Sequence, residues 1–157
     1  MIDLKPFCAK RSEPREWMRT PWVYLDNVYA TNGHILVRCA EANSKHHLAI
    51  GGCDPIECAK IIRNAGKRRL TNISLGVPMA ASGVTRFGNI CFDSNYIALI
   101  AKLPGVKFQA NGADSPAYFS FRGGEGVVMP YAIPPAELLG EIEYDSWLSQ
   151  LAGADHA

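Results

Sequence analysis

Cysteine and histidine side chains near the middle of the chain could bind a metal ion. The set consists of Cys39, His46, His47, Cys53 and Cys58. Zinc prefers thiolate and imidazole ligands, but structural zinc sites supply them in closely spaced pairs, and this spacing is irregular. The five cysteines include no Cys-x-x-Cys pair, and their odd number argues against a disulfide framework. A zinc site is therefore the weaker alternative, and we expect reduced thiols with no metal or other cofactor.

Catalytic motifs are absent from the sequence. It has no serine nucleophile elbow, no phosphate-binding glycine loop before a helix and no His-Glu-x-x-His. Residues 123–126 (GGEG) are rich in glycine, but they separate two predicted strands and are interpreted as a turn. His34 and Cys39 lie five residues apart on a predicted strand, so their side chains point to opposite faces and do not form a nucleophile–base pair. We therefore expect a non-enzymatic protein.

Basic residues are densest on and just after a predicted helix. The cluster consists of Lys60, Arg63, Lys67, Arg68 and Arg69. The first three recur at helical spacing and share one face, where fixed positive charge could bind the phosphates of duplex DNA without reading its sequence. The alternative is a solvated helix face whose C-terminal charges favour the helix dipole. The sequence leaves both interpretations open.

Composition and charge are those of an ordinary globular protein. The 157 residues are 48% hydrophobic and 20% charged, which suffices for one packed domain. No apolar run approaches the roughly 18 residues of a membrane span, and the start lacks the apolar core of a secretory signal, so we expect a cytoplasmic protein with no membrane partner. Residues 1–70 hold 12 Lys/Arg and 7 Asp/Glu, whereas residues 71–157 hold 4 and 8. This asymmetry suits nucleic-acid contact or head-to-tail assembly into a homo-oligomer.

Several β-strands are predicted on either side of the helical part of the chain. Asn32-Gly33 between two β-rich segments predicts a hairpin with a type I′ turn, which needs positive φ at both central residues. Three further strands are predicted over residues 106–110, 117–122 and 126–131, separated by glycine-containing turns.

Two helices are predicted between these strands. The first begins at Asp54-Pro55 and ends at Gly66, with a capping residue, a proline at the first helical position and a terminal glycine. The second begins near Asp93-Ser94, ends at residues 104–105 (PG), and buries Tyr96, Ile97, Ile100 and Leu103. Runs of strands with two helices among them predict an α+β domain.

Two motifs in this order resemble the β subunit of bacterial DNA polymerase III, the sliding clamp. They are the hairpin at residues 30–37 (ATNGHILV) and the unit from Phe92-x-x-x-Tyr96 through three strands to residues 127–130 (VVMP). The likeness covers residues 1–44 and 73–133, with residues 45–72 as an insertion. It implies one DNA-clamp-like domain over residues 1–135, with antiparallel sheets, two main helices and an inserted helical segment. The clamp family has three such domains per chain, so a reduction to one suggests a phage or prophage protein and puts ring closure in doubt.

The resemblance implies a peptide-binding cleft, because in clamps these motifs line the cleft that captures short segments of polymerases and repair proteins. The matching residues are Thr31, Gly33, His34, Leu36, Val127, Val128, Met129 and Pro130. Flexible Met and apolar walls accept several peptides. Two positions depart from the family: Ile35 stands where clamps have Arg, and Tyr131-Ala132 stand where they have Met-Arg. The alternative is that these residues only build a hairpin and a core strand.

Two functions from different classes follow from these observations. The first is a non-enzymatic, clamp-like, DNA-associated protein that tethers or modulates replication proteins. The second is a clamp-fold module that binds peptides or proteins and does not bind DNA. Residues 136–157 form an acidic C-terminal tail without Lys or Arg. This tail is interpreted as a helix on its own domain, or as a segment whose residues 147–151 (WLSQL) dock in a clamp cleft.

Overall fold

A seven-stranded antiparallel sheet forms the centre of the computed structural model, which describes residues 1–45, 55–67, 71–73, 83–87, 90–110 and 112–131. The strands in chain order are β1 (Trp22–Tyr24), β2 (Asn27–Thr31), β3 (Ile35–Ala40), β4 (Thr71–Ile73), β5 (Val84–Phe87), β6 (Ile90–Asp93), β7 (Lys107–Ala110), β8 (Ala117–Phe121) and β9 (Gly124–Val128). The large sheet has the order β1-β2-β3-β9-β8-β7-β4, and β5 and β6 form a separate hairpin. The hairpin β2–β3 therefore lies directly beside the last strand, β9.

Two α-helices accompany the sheet, α1 (Pro55–Gly66) and α2 (Ser94–Ala101). The prediction that Gly66 ends the first helix is confirmed. Asp93 caps α2, and its side chain accepts a hydrogen bond from the Asn95 N–H at 2.8 Å, as the sequence predicted for this start. Leu103 is buried as expected, but it lies beyond the last residue of the helix. The described residues thus form a mixed α+β fold with two α-helices and antiparallel sheets.

The two faces of the sheet carry separate hydrophobic clusters because neighbouring strand residues point in opposite directions. On one face, α2 and the β5–β6 hairpin pack over a cluster that includes Val28, Ile35 and Val128. On the other face, α1 packs over a cluster that includes Leu36 and Val127. The sheet is therefore covered on both sides, with one helix on each.

The turn between β2 and β3 differs by one residue from the prediction. Among residues 27–40, only Gly33 has a positive φ, at +93°, so a type I′ turn centred on Asn32-Gly33 is wrong. The central pair is Gly33-His34, because the Asn32 N–H donates to the Ile35 carbonyl at 3.4 Å. The Asn32 side chain explains the shift, since its Oδ1 accepts from the N–H groups of His34 and Ile35 at 2.9 and 3.0 Å.

The last strand begins two residues earlier than predicted and ends before the motif does. Phe121 pairs with Gly124, so the loop contains only residues 122–123, and residues 129–131 lie beyond the strand. Gly126 lies close to β8, where a Cβ would collide with the Phe119 ring and the Leu36 carbonyl oxygen.

Neither α1 nor α2 is long and apolar enough to cross a membrane. The tail, residues 136–157, lies outside the described residues.

Candidate functional site

The two described cysteines of the metal-ligand set lie apart in the fold. Cys39 belongs to the cluster beneath α2, and Cys58 belongs to the cluster beneath α1, on the opposite face of the sheet. They therefore do not share one ion. No group of three His, Cys, Asp or Glu side chains that could hold a metal occurs among the residues that the structure describes. His46, His47 and Cys53 lie outside the described residues.

The two motif segments of the clamp resemblance are neighbours in the sheet. Ile35 pairs with Val128 and Leu36 with Val127 in the antiparallel register of β3 and β9. One step further, the Met129 N–H donates to the His34 carbonyl oxygen at 2.9 Å. The hairpin and the end of the last strand, almost a hundred residues apart in the chain, thus form one continuous ladder.

The eight residues expected to line the cleft do not share one open surface. Leu36 and Val127 are buried beneath α1, whereas Val128 is buried on the opposite face. Thr31 and Pro130 are also buried. Gly33, His34 and Met129 are exposed. The cause is the alternation of side chains along β3 and β9, combined with the helix that covers one face. The resemblance had implied that all eight residues line one cleft.

We call His34, Tyr96, Met129 and Tyr131 the hairpin-tip surface, because the hairpin tip, the start of α2 and the segment after β9 come together there. The His34 ring stacks on Tyr96 of α2, with centroids 6.2 Å apart and planes 20° apart. Met129 is 43% exposed. Tyr131 is anchored by its N–H, which donates to the Cys91 carbonyl at 2.8 Å.

Polar groups around the hairpin-tip surface are held in fixed positions. The Tyr131 hydroxyl donates to Asp93 Oδ2 at 3.5 Å, a long bond. Burial and the Asp93 carboxylate raise the pKa of Tyr131, and the same two causes raise the pKa of Tyr96, against a hydrogen bond with Asn32 that lowers it. Both phenols are therefore neutral hydrogen-bonding groups at neutral pH. The surface combines rings and a thioether with the nearby carboxylate of Asp93.

Two of these four residues were not predicted as site residues. Tyr96 was expected in the core, and Tyr131 was noted only as a departure from the clamp pattern. The spacing from Phe92 to Tyr96 could have indicated Tyr96 as a site residue, because β6 ends and α2 begins between these two residues. Phe92 is fully buried while Tyr96 is half-buried and faces the hairpin tip.

The basic cluster lies on the outer side of α1. Lys60, Arg63 and Lys67 are all exposed, and none of them forms an ion pair in the described parts of the chain. Ile61 lies beside them and is 39% exposed. Arg68 and Arg69 lie outside the described residues. Because α1 and α2 lie on opposite faces of the sheet, this basic face points away from α2.

A row of polar side chains crosses the sheet on the α1 side and was not predicted from the sequence. Arg38 donates to Glu125 Oε1 from Nη2 at 2.5 Å and from Nε at 3.1 Å, and to the Tyr29 hydroxyl at 3.4 Å. Tyr118 donates to the other Glu125 oxygen at 2.6 Å. Burial alone would lower the pKa of Arg38, but hydrogen bonds to Tyr29 and Glu125 outweigh it and raise that pKa. The row is a structural network across four strands.

No protein-family model matches this chain, no curated protein matches it, and no solved structure matches it. The functional argument therefore rests on the residues of the chain itself.

Proposed function

We propose that this chain is a non-enzymatic, clamp-like interaction module that binds a short segment of a partner protein at the hairpin-tip surface. The observation that carries the proposal is the juxtaposition of the two motif segments with Tyr96. The Met129 N–H is hydrogen-bonded to the His34 carbonyl oxygen, and the His34 ring is stacked on Tyr96, so three separate stretches of sequence come together at one place. In the clamp family, the stretches that correspond to the hairpin and to residues 127–130 bind peptides of replication proteins.

The chemistry of the hairpin-tip surface suits an apolar peptide segment. The Met129 thioether is flexible and polarisable, so it can pack against differently shaped side chains. Tyr96 and His34 offer ring faces that are already stacked, so binding orders few additional rotatable bonds. The exposed apolar area is small, so we expect weak, exchangeable binding of the kind that suits a tether.

Peptide titration with substituted chains tests this proposal. We expect Met129→Ala and His34→Ala each to weaken binding of a fluorescent clamp-binding peptide of a bacterial polymerase by about 10-fold, the change that about 1.4 kcal/mol produces. Leu25→Ala is the matched control, because Leu25 is 74% exposed and lies at the opposite end of β2. Equal affinity in all four proteins, or loss of binding only in the Leu25 variant, would contradict the proposal.

A second candidate is sequence-independent binding of duplex DNA through α1. It is favoured by the exposed residues Lys60, Arg63 and Lys67, of which the first two lie on α1 and the third directly follows its last residue. The position of α1 opposite α2 differs from the clamp arrangement, in which helices line the DNA channel. Any duplex would therefore contact this face from outside, and a ring is not required.

Low-salt binding to a short random-sequence duplex tests the second candidate. Each phosphate contact contributes about −0.9 to the slope of log affinity against log salt, so replacing the three basic residues by Ala should flatten the slope by up to about 3. Lys102→Ala is the control, since Lys102 is exposed at the end of α2, on the opposite face of the sheet from α1. Absence of duplex retention at low salt would exclude this candidate. Light scattering of the same samples would show whether the chain self-associates.

A further inference from the structure

The outer face of α1 is basic and partly apolar. Positive charge is concentrated towards the end of the helix, since Glu57 lies in the first turn and Lys60, Arg63 and Lys67 follow it. Ile61 adds an exposed apolar side chain at one edge of this face. In the described residues, none of the three cations has a carboxylate within ion-pair distance. This face thus offers both charge and apolar area to an occupant of opposite charge.

The end of the chain has the complementary composition. Residues 136–157 contain five carboxylate side chains and no Lys or Arg. The acidic residues are Glu137, Glu141, Glu143, Asp145 and Asp155. The same stretch contains large apolar residues, namely Leu138, Leu139, Ile142, Trp147, Leu148 and Leu151. Acidic and apolar residues are therefore interspersed, as in a segment that would cover a basic face with an apolar edge.

We propose that the acidic segment 136–157 docks on the outer face of α1, where its carboxylates pair with Lys60, Arg63 and Lys67 and its apolar side chains cover Ile61. The described chain reaches Tyr131, which leaves 26 residues to the end. An extended chain of that length spans roughly 80 Å, several times the thickness of the helix–sheet–helix stack of about 20–30 Å. The segment is therefore long enough to pass from one face of the sheet to the other.

Docking of this kind is reversible and sensitive to salt. Exposed ion pairs are individually weak and are screened over about 10 Å at 0.1 M ionic strength. A polyanion such as duplex DNA would compete for the same three cations, so the segment would limit binding by the second candidate function. The docking itself does not depend on that function, because it requires only the basic face and the segment.

Carbodiimide cross-linking of the full chain tests the docking, because this reagent joins a lysine amine to a carboxylate only where the two are in contact. We expect links from Lys60 and Lys67 to the acidic segment at low salt, and their loss at about 0.5 M salt, where charges are screened beyond about 4 Å. Lys102 is also exposed, lies at the end of α2 and serves as an internal control. Mixing labelled and unlabelled chains distinguishes links within one chain from links between chains. Links spread evenly over all exposed lysines, or links only between chains, would overturn the proposal.

A variant with a neutral segment provides a second measurement. It carries E137Q, E141Q, E143Q, D145N and D155N. We expect the amide resonances of residues 60–67 to move between the natural chain and this variant, while those of α2 stay unchanged. Identical resonances over residues 60–67 would overturn the proposal. A duplex titration of both proteins separates the two hypotheses: if the resonances move but neither protein binds duplex, the docking holds and the DNA candidate fails.

Discussion

The backbone N–H of Met129 donates a hydrogen bond to the carbonyl oxygen of His34 across 2.9 Å. This bond continues the β3–β9 ladder one step beyond the pair Ile35–Val128. Met129 is therefore exposed at a position that the ladder fixes, and it does not belong to a loose end. The hairpin tip and the end of the last strand are thus joined by this bond, and the conformation of the tip should influence where Met129 lies.

Gly33→Ala should destabilise the fold by about 1–2 kcal/mol. A φ of +93° costs a residue with a Cβ roughly that much, and the added Cβ would lie 3.2 Å from Met18 Cε. Urea denaturation measures the change. Gly112→Ala is the control, because Gly112 also has a positive φ, +84°, but a Cβ there would meet no atom within 4 Å. The Gly33 variant should lose more stability than the control. An unchanged urea midpoint for the Gly33 variant would show that residue 33 does not need a positive φ in the folded protein.

Local signals in the sequence predicted much of the fold. Asp93 before Ser94 gave the start of α2, and Gly66 gave the end of α1, because capping depends on residues next to each other in the chain. The turn at Gly33 was misplaced by one residue because Asn32 does not have the positive φ of a central turn residue. Its side chain instead accepts hydrogen bonds from the N–H groups of His34 and Ile35. Which face of the sheet α1 covers could not be predicted, since it depends on packing between residues far apart in sequence.

Glu125 and Arg38 should be energetically coupled by about 1 kcal/mol. The side chain of Arg38 is 24% exposed and that of Glu125 is 29% exposed, and each also bonds to a tyrosine. Removing either residue therefore takes one partner away from partly buried polar groups. A double-mutant cycle with Arg38→Ala and Glu125→Ala measures the coupling in denaturation experiments. The ion pair of Arg15 with Glu13 is the control, because Arg15 is 58% exposed, and its coupling should be below about 0.5 kcal/mol. Equal coupling in both pairs would contradict this ranking.

Stability should fall as the pH rises from about 10 to about 12. Burial, the hydrogen bond to Glu125 and its charge raise the pKa of Tyr118 from 10.0 to about 12. Because the folded pKa is above the unfolded one, the contribution is fully present below pH 10 and is lost as the pH approaches 12. Tyr118→Phe should make the dependence shallower without abolishing it, since Tyr96 and Tyr131 are shifted in the same direction.

Denaturation midpoints and the ultraviolet absorbance of phenolate, both followed across this pH range, measure the effect. A Tyr118→Phe chain with the same slope as the natural chain would show that Tyr118 titrates in the folded state as it does in the unfolded state.

The candidate site could be predicted only in part. The sequence motifs predicted His34 and Met129, which are exposed, but they also predicted Leu36 and Val127, which α1 covers. A list of motif residues contains no information on which side of the sheet an inserted helix packs. Tyr131 was outside the motif and could be recognised only once its contacts with Cys91 and Asp93 were known.

Backbone resonance mapping of the natural chain during titration with a clamp-binding peptide tests the central claim most directly. The account predicts that amide resonances at His34, Tyr96, Met129 and Tyr131 shift together and saturate along one binding curve, while those of residues 60–67 on α1 stay in place. Shifts confined to α1, or no shift at any peptide concentration, would contradict the claim that the hairpin-tip surface binds a partner segment.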